Sequence, residues 1–190
     1  MGFTKAELAG YRDAVVDDLI GDNCRLLFVG INPSLWTAAT GAHFARPGNR
    51  FYPALHRAGI LDRLIDASDG YTAADREMLL RRGIGITNLA PRATARADEL
   101  TSEELRDGTQ KLLDTVRRVA PRVVAVAGIT AYRTAFRRPR AVTGEQDEKL
   151  AGTPLWVVPN PSGLNAHDTV DSLAAAYRRV GLAAGMVDAG

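Results

Sequence analysis

The sequence predicts an α/β fold in which a parallel sheet is covered by helices, because short apolar runs alternate with amphipathic segments along the chain. The runs are rich in β-branched residues and nearly continuous, as strands must be when both faces are buried. At 190 residues the chain has the length of one compact domain and is too short for two well-buried cores. A single domain over 1–190 is expected, with a helical extension over 1–24 and a core over 25–182.

Residues 7–20 read as an N-terminal helix and 25–31 (RLLFVGI) as the first strand. Further strands are expected at 85–89 (GITNL), 122–127 (RVVAVA) and 155–158 (LWVV), none long enough for a core helix. The clearest helix follows Thr101, where Thr-Ser-Glu-Glu supplies a capping hydroxyl and a glutamate three residues later. Leu105, Leu112, Leu113, Val116 and Val119 then recur on one face, which should lie on the sheet. A last helix is expected over 169–180, capped by Asp168 or Thr169, with Val170, Leu173, Ala174 and Tyr177 on one side. Between 137 and 152 charged and small residues break the pattern, which reads as a surface loop.

With 46% hydrophobic and 24% charged residues and no repeat, the composition is that of an ordinary globular chain. Charges interrupt every apolar run of the first 20 residues, so no signal-peptide core or membrane span is expected, and the location read is cytoplasmic. Cys24 is the only cysteine, which excludes an internal disulfide, a zinc site of several thiolates and a four-cysteine cluster. The chemistry is expected to be metal-free. Net charge is only +2, yet 21 of the 24 basic residues are arginine, whose planar fork suits phosphate. Several are adjacent: Arg81 and Arg82, Arg117 and Arg118, Arg137 and Arg138 near Arg140, Arg178 and Arg179. Such pairs read either as phosphate contacts or as solvated helix faces.

In an open parallel sheet the ligand sits beyond the carboxyl ends of the strands. The first strand runs into Gly30-Ile31-Asn32-Pro33-Ser34 and the last into Pro159-Asn160-Pro161-Ser162-Gly163-Leu164-Asn165. Each places an asparagine before a proline, which favours an extended asparagine, removes the next amide donor and ends the strand. One Asn-Pro is turn punctuation as readily as a site, but two at one sheet edge carry more weight. Those ends hold no Ser-His-Asp set, nucleophile elbow, P-loop or dinucleotide fingerprint. An asparagine-centred site must orient water and leave bond cleavage to the leaving group.

The chain resembles the mismatch-specific uracil-DNA glycosylase and thymine-DNA glycosylase family. The resemblance runs through Gly30-Ile31-Asn32-Pro33, the stretch from Gly41 to Phe51 (GAHFARPGNRF), Gly85-Ile86-Thr87-Asn88-Leu89 with Arg92 and Thr94, and Asn160-Pro161-Ser162-Gly163-Leu164. These blocks stand in the family's order and spacing. The resemblance implies a three-layer glycosylase fold with a central, mostly parallel sheet, monofunctional excision of a mispaired or damaged pyrimidine from double-stranded DNA, and no cofactor; a monomer is expected. It makes Asn32 the catalytic residue that positions water, and it assigns substrate contacts to Ile31, Phe44 and Asn160; Ser34, beside them, is expected to touch the substrate as well. Phe44 would stack on the flipped base, while Gly163, Leu164 and Asn165 would form the wedge that fills the gap in the duplex.

Two positions depart from the family pattern. Ser34 stands where glycine is usual, so its hydroxyl either enters the water network or crowds it. The wedge reads Leu164-Asn165-Ala166-His167, with no arginine to reach the opposite strand; His167 is either a contact or an exposed loop residue, and His43 either a pocket residue or not. Phe44 also has a plain reading as a core aromatic. Two other functions stay open: a catalytically silent mismatch-binding module, which would not need Asn32, and a nucleosidase for free nucleosides, which would not need Leu164. The preferred lesion, whether uracil, thymine or ethenocytosine, turns on about a methyl group of pocket room, roughly 1–3 kcal/mol.

Overall fold

The computed structural model describes residues 2–189. Its elements in chain order are α1 (Lys5–Ala9), β1 (Leu26–Gly30), α2 (Leu35–Thr40), α3 (Phe51–Arg57), α4 (Ala73–Arg81), β2 (Ile84–Asn88), α5 (Ser102–Val119), β3 (Val123–Ala127), α6 (Ile129–Ala135), β4 (Gly144–Leu150), β5 (Thr153–Val158) and α7 (Val170–Ala183). One five-stranded sheet has the order β2-β1-β3-β5-β4; every neighbouring pair is parallel except β5 with the edge strand β4. The expected α/β class is found.

Alternation along the buried strands builds two cores. Leu26, Phe28, Ile86, Val123 and Ala125 turn to one face, where Phe51 and Leu55 of α3, Leu79 of α4 and Tyr177 of α7 cover them. Leu27, Val29, Val124, Val126 and Val157 turn to the other, beneath Leu105, Leu112 and Val116 of α5 and Tyr132 of α6. Successive side chains of a strand point oppositely, so these continuous apolar runs demand helices on both faces and give three layers. Capping boxes at Thr101 with Glu104 and at Thr169 with Ser172 start α5 and α7. In α5, Leu105, Leu112 and Val116 are buried as expected and Leu113 and Val119 partly so. Gly108 is needed where α5 crosses the end of β2, since a Cβ there would fall 2.2 Å from the Leu89 carbonyl oxygen.

Two expectations are corrected. Residues 7–20 are not one helix: α1, boxed by Thr4 and Glu7, stops at Gly10, and Asp13 takes a left-handed φ of 63°. The chain then runs along the free edge of β2, where Leu19 and Ile86 exchange backbone hydrogen bonds of 2.9 and 2.8 Å. Pairing that edge satisfies strand amides that a helix would have left open. Likewise 137–152 is not all loop, because 144–150 (GEQDEKL) forms β4. Its charged side chains carry no buried-strand signal, and only hydrogen bonding to β5 makes it a strand.

The sheet places one edge for a ligand. From β1 the chain passes to β2 on one side and next to β3 on the other, which makes β1 the switch point where a crevice opens beyond the carboxyl ends.

Candidate active site

The residues just past four parallel strands, from Gly30, Asn88, Ala127 and Val158 onward, line a cleft of about 710 Å³. Asn32, at the end of β1, is half-buried there. Its Nδ2 donates to the carbonyls of Pro33 (3.1 Å) and Arg92 (3.0 Å) and to Thr94 Oγ1 (2.7 Å). Carbonyls only accept, and the Thr94 hydroxyl spends its proton on the Arg96 carbonyl at 2.7 Å, so the amide cannot be reversed. Oδ1 accepts from no described residue and is the free atom at the cleft. Arg92 holds this backing in place, forking onto both carboxylate oxygens of Glu104 and reaching Asp13 at 2.9 Å. The guanidinium, together with the Thr101 amide, holds the Glu104 carboxyl down at about 2.

Phe44 takes a left-handed φ of 56°, an uncommon conformation for an aromatic residue and one the surroundings must enforce. Two tyrosines do so from the preceding residue: Tyr52 donates to the His43 carbonyl at 2.8 Å, and the His43 amide donates to the Tyr71 hydroxyl at 3.1 Å. One face of the Phe44 ring stacks on buried Phe51, centroids 4.0 Å apart and planes 24° apart, and the ring also lines the cleft. The Phe44 amide donates to no described residue. His43 itself is buried; Nε2 lies 3.0 Å from the Asp17 carbonyl and so carries the proton, which leaves Nδ1 to accept from Asn88 Nδ2 at 3.5 Å. Burial lowers its pKa, against the pull of the Asp17 carbonyl and the Asp18 charge. Gly30 makes room for this group, because a Cβ there would come 2.5 Å from Asn88 Oδ1.

The third wall is the loop from β5 to α7, stapled to the 46–50 loop by Arg50. The Arg50 guanidinium donates to the carbonyls of Ser162 and Asn165, both at 2.6 Å, and of Asp168, while its backbone amide donates to Pro161 at 2.9 Å. Gly163 lets the two loops touch, since a Cβ would lie 2.8 Å from the Gly48 carbonyl oxygen. Leu164 at the loop's tip is 70% exposed. The two carboxylates in the cleft are both engaged: Asp98 pairs with Arg96 at 2.7 Å, and Asp168 accepts from Asn165 and Ser172. Arg46, also lining the cleft, has no side-chain partner among the described residues. The arrangement can place a water at an amide oxygen, cover a flat ring, and attract an anion.

A model of the Uracil DNA glycosylase superfamily matches residues 18–180. The chain belongs to the uracil-DNA glycosylase superfamily. It is therefore a DNA glycosylase, a hydrolase of N-glycosidic bonds. The solution NMR structure of a candidate uracil DNA glycosylase from Methanosarcina acetivorans shares the fold, with a TM-score of 0.57 at 18% identity over 90% of this chain and 98% of that one.

In this superfamily member the site residues expected from sequence line the cleft, apart from Gly163, which sits at the contact of two of its loops. Their individual duties are more varied than expected. The Ser34 hydroxyl caps α2, accepting from the Thr37 amide and donating to the Thr37 hydroxyl, so the substitution of serine for glycine has a local structural use. Asn160 Oδ1 closes a turn on the Ser162 amide. The Asn165 amide is tied to the Asn160 carbonyl and to Asp168, so it shapes the loop instead of projecting with Leu164. Ile31 is half-buried beside Gly128, and the His167 ring is exposed at the rim. Sequence reasoning assigned no role to Thr94, Asn88 or Arg50, although all three lie inside the motif blocks. An arginine beside asparagine was the local signal for Arg50, and no local pattern marked Thr94 or Asn88.

Proposed function

We propose that this glycosylase removes uracil, or a related damaged pyrimidine, from mispaired duplex DNA, with G·U as its substrate pair and G·T as the alternative. The nucleotide flips into the cleft, and hydrolysis leaves an abasic site without cutting the backbone. The reading rests above all on Asn32, whose locked amide leaves Oδ1 free at the cleft that the Phe44 ring lines.

N-glycoside cleavage is expected to pass through an oxocarbenium-like state, with negative charge moving to the departing pyrimidine. Such a reaction needs a placed water more than a strong base, and the cleft offers Asn32 Oδ1 and, among the described residues, no disengaged carboxylate. The free Phe44 amide and the Asn88 side chain meet the polar edge of the base and stabilise the developing charge, and the Phe44 ring stacks on its plane. Extrusion costs a few kcal/mol of unstacking, least at a mismatch, and exposed Leu164 fills the vacated space. A mispair preference follows from that cost without an arginine for the opposite strand.

The test uses labelled duplexes with one G·U or one A·U pair, and free deoxyuridine, followed by alkaline cleavage of abasic sites. Faster scission at G·U than at A·U is expected, with the free nucleoside untouched. Hydrolysis of deoxyuridine alone would make the protein a nucleosidase, and tight G·U binding without scission a silent mismatch binder.

A further inference from the structure

We infer that the loop between α6 and β4 is a second DNA-backbone contact, in which Arg137 and Arg140 take phosphates flanking the nucleotide held in the cleft. The inference rests on the proposed action on duplex DNA and adds a surface to it. The loop borders a groove of about 480 Å³, separate from the cleft, lined by Arg137, Arg138 and Arg140. Arg138 is already committed, pairing at 2.6 Å with Glu148, which also accepts from the Tyr132 hydroxyl at 2.7 Å. Arg137 and Arg140 are exposed and have no side-chain partner among the described residues, and the groove's remaining charge is the exposed carboxylate of Asp147.

The loop is also prearranged. Arg133 grips the Ala141 carbonyl through Nε (2.9 Å) and Nη2 (2.7 Å), and the Gln146 amide donates to the Val142 carbonyl at 2.9 Å. Arg137 is held at a left-handed φ of 56°. Val142, 69% exposed at the tip, packs on nothing in the chain's cores.

What selects DNA as the partner is continuity with the cleft, because Thr143 of the same loop lines it. Three residues span at most about 11 Å at about 3.6 Å each, so Arg140 stands closer to the cleft rim than the roughly 12 Å width of a major groove. A duplex presenting a nucleotide to Asn32 would pass by the Arg140 guanidinium, with Arg137 three residues further along the same loop for a more distant phosphate; the guanidinium fork matches phosphate oxygens.

The experiment measures duplex binding against salt for the full chain, for the double variant Arg137→Gln with Arg140→Gln, and for a control, Arg118→Gln with Arg179→Gln, that removes the same charge from exposed positions on α5 and α7. Each lost phosphate contact flattens the log–log salt slope by about 0.9. The loop variant should lose about two units of slope, so its affinity deficit shrinks about tenfold between roughly 50 and 200 mM salt, while the control keeps the wild-type slope. Equal slopes in the loop variant and wild type, or equal flattening in the control, would overturn the inference. Excision from the G·U duplex by the wild type, run alongside, separates this failure from a failure of the functional reading itself.

Discussion

At the scale of single residues, the proposed chemistry is concentrated in the orientation of one amide. Asn32 is useful because three acceptors claim its nitrogen and leave its oxygen free, an arrangement that glutamine or aspartate would not reproduce: one is longer, the other has no hydrogen to donate. Asn32→Ala should lower single-turnover excision from a G·U duplex on the order of 10² to 10³, the loss seen when one preorganised polar group is removed. Mismatch binding should survive, and the melting temperature should change little because the side chain borders solvent. Near-normal excision by this variant would remove Asn32 from the mechanism. Thr94→Val tests the orientation separately, since it leaves Asn32 in place but takes away the shortest acceptor; a fall in kcat with KM unchanged is the expected split.

At the scale of elements, the proposed wedge is a loop whose shape is borrowed from another loop. Arg50 organises the 160–168 segment by gripping its carbonyls, and Leu164 then projects where the backbone lets it. Leu164→Ala should reduce excision from duplex DNA far more than from single-stranded DNA, which needs no propping of the stack; as an exposed residue it should cost under about 0.5 kcal/mol of stability. Equal losses on both substrates would reduce Leu164 to packing. Arg50→Lys should show the same duplex-selective defect, on the order of 10²-fold if the loop shifts by about 1 Å, because a lysine cannot fork to several carbonyls. A lysine variant with wild-type duplex activity would show that the staple does not matter.

At the scale of the whole molecule, acid should unlock the site from behind. His43 has a folded pKa below its ordinary 6.5 through burial, so the unfolded chain binds the proton more readily and stability falls as pH drops below 6.5. Glu104, held at about 2 against an ordinary 4.5, contributes stability that is complete above 4.5 and lost between 4.5 and 2. The melting temperature should therefore decline first below pH 6.5 and again below 4.5. Glu104→Gln should lower it at neutral pH and shallow the second decline; a variant curve parallel to wild type would show that the Arg92 clamp adds nothing.

What the sequence determined by itself was whatever acts over a few residues. Continuous β-branched runs located the four parallel strands to within two residues, the box at Thr101 located α5, and the two Asn-Pro steps marked two of the four strand ends that line the cleft. Local patterns failed where a distant partner decides the outcome. The charged 144–150 segment becomes a strand because β5 offers hydrogen bonds, and 14–19 leaves the helix expected of it because the edge of β2 is open. The site divides the same way. Asn32 was legible in its motif, but its orientation depends on Arg92 and Thr94, 60 and 62 residues downstream, and the shape of the 160–168 loop depends on Arg50, more than 100 residues upstream of the carbonyls it holds. Propensity and capping are encoded by neighbours in the chain, whereas the direction of an amide is set by whichever donors and acceptors the packed sheet brings beside it.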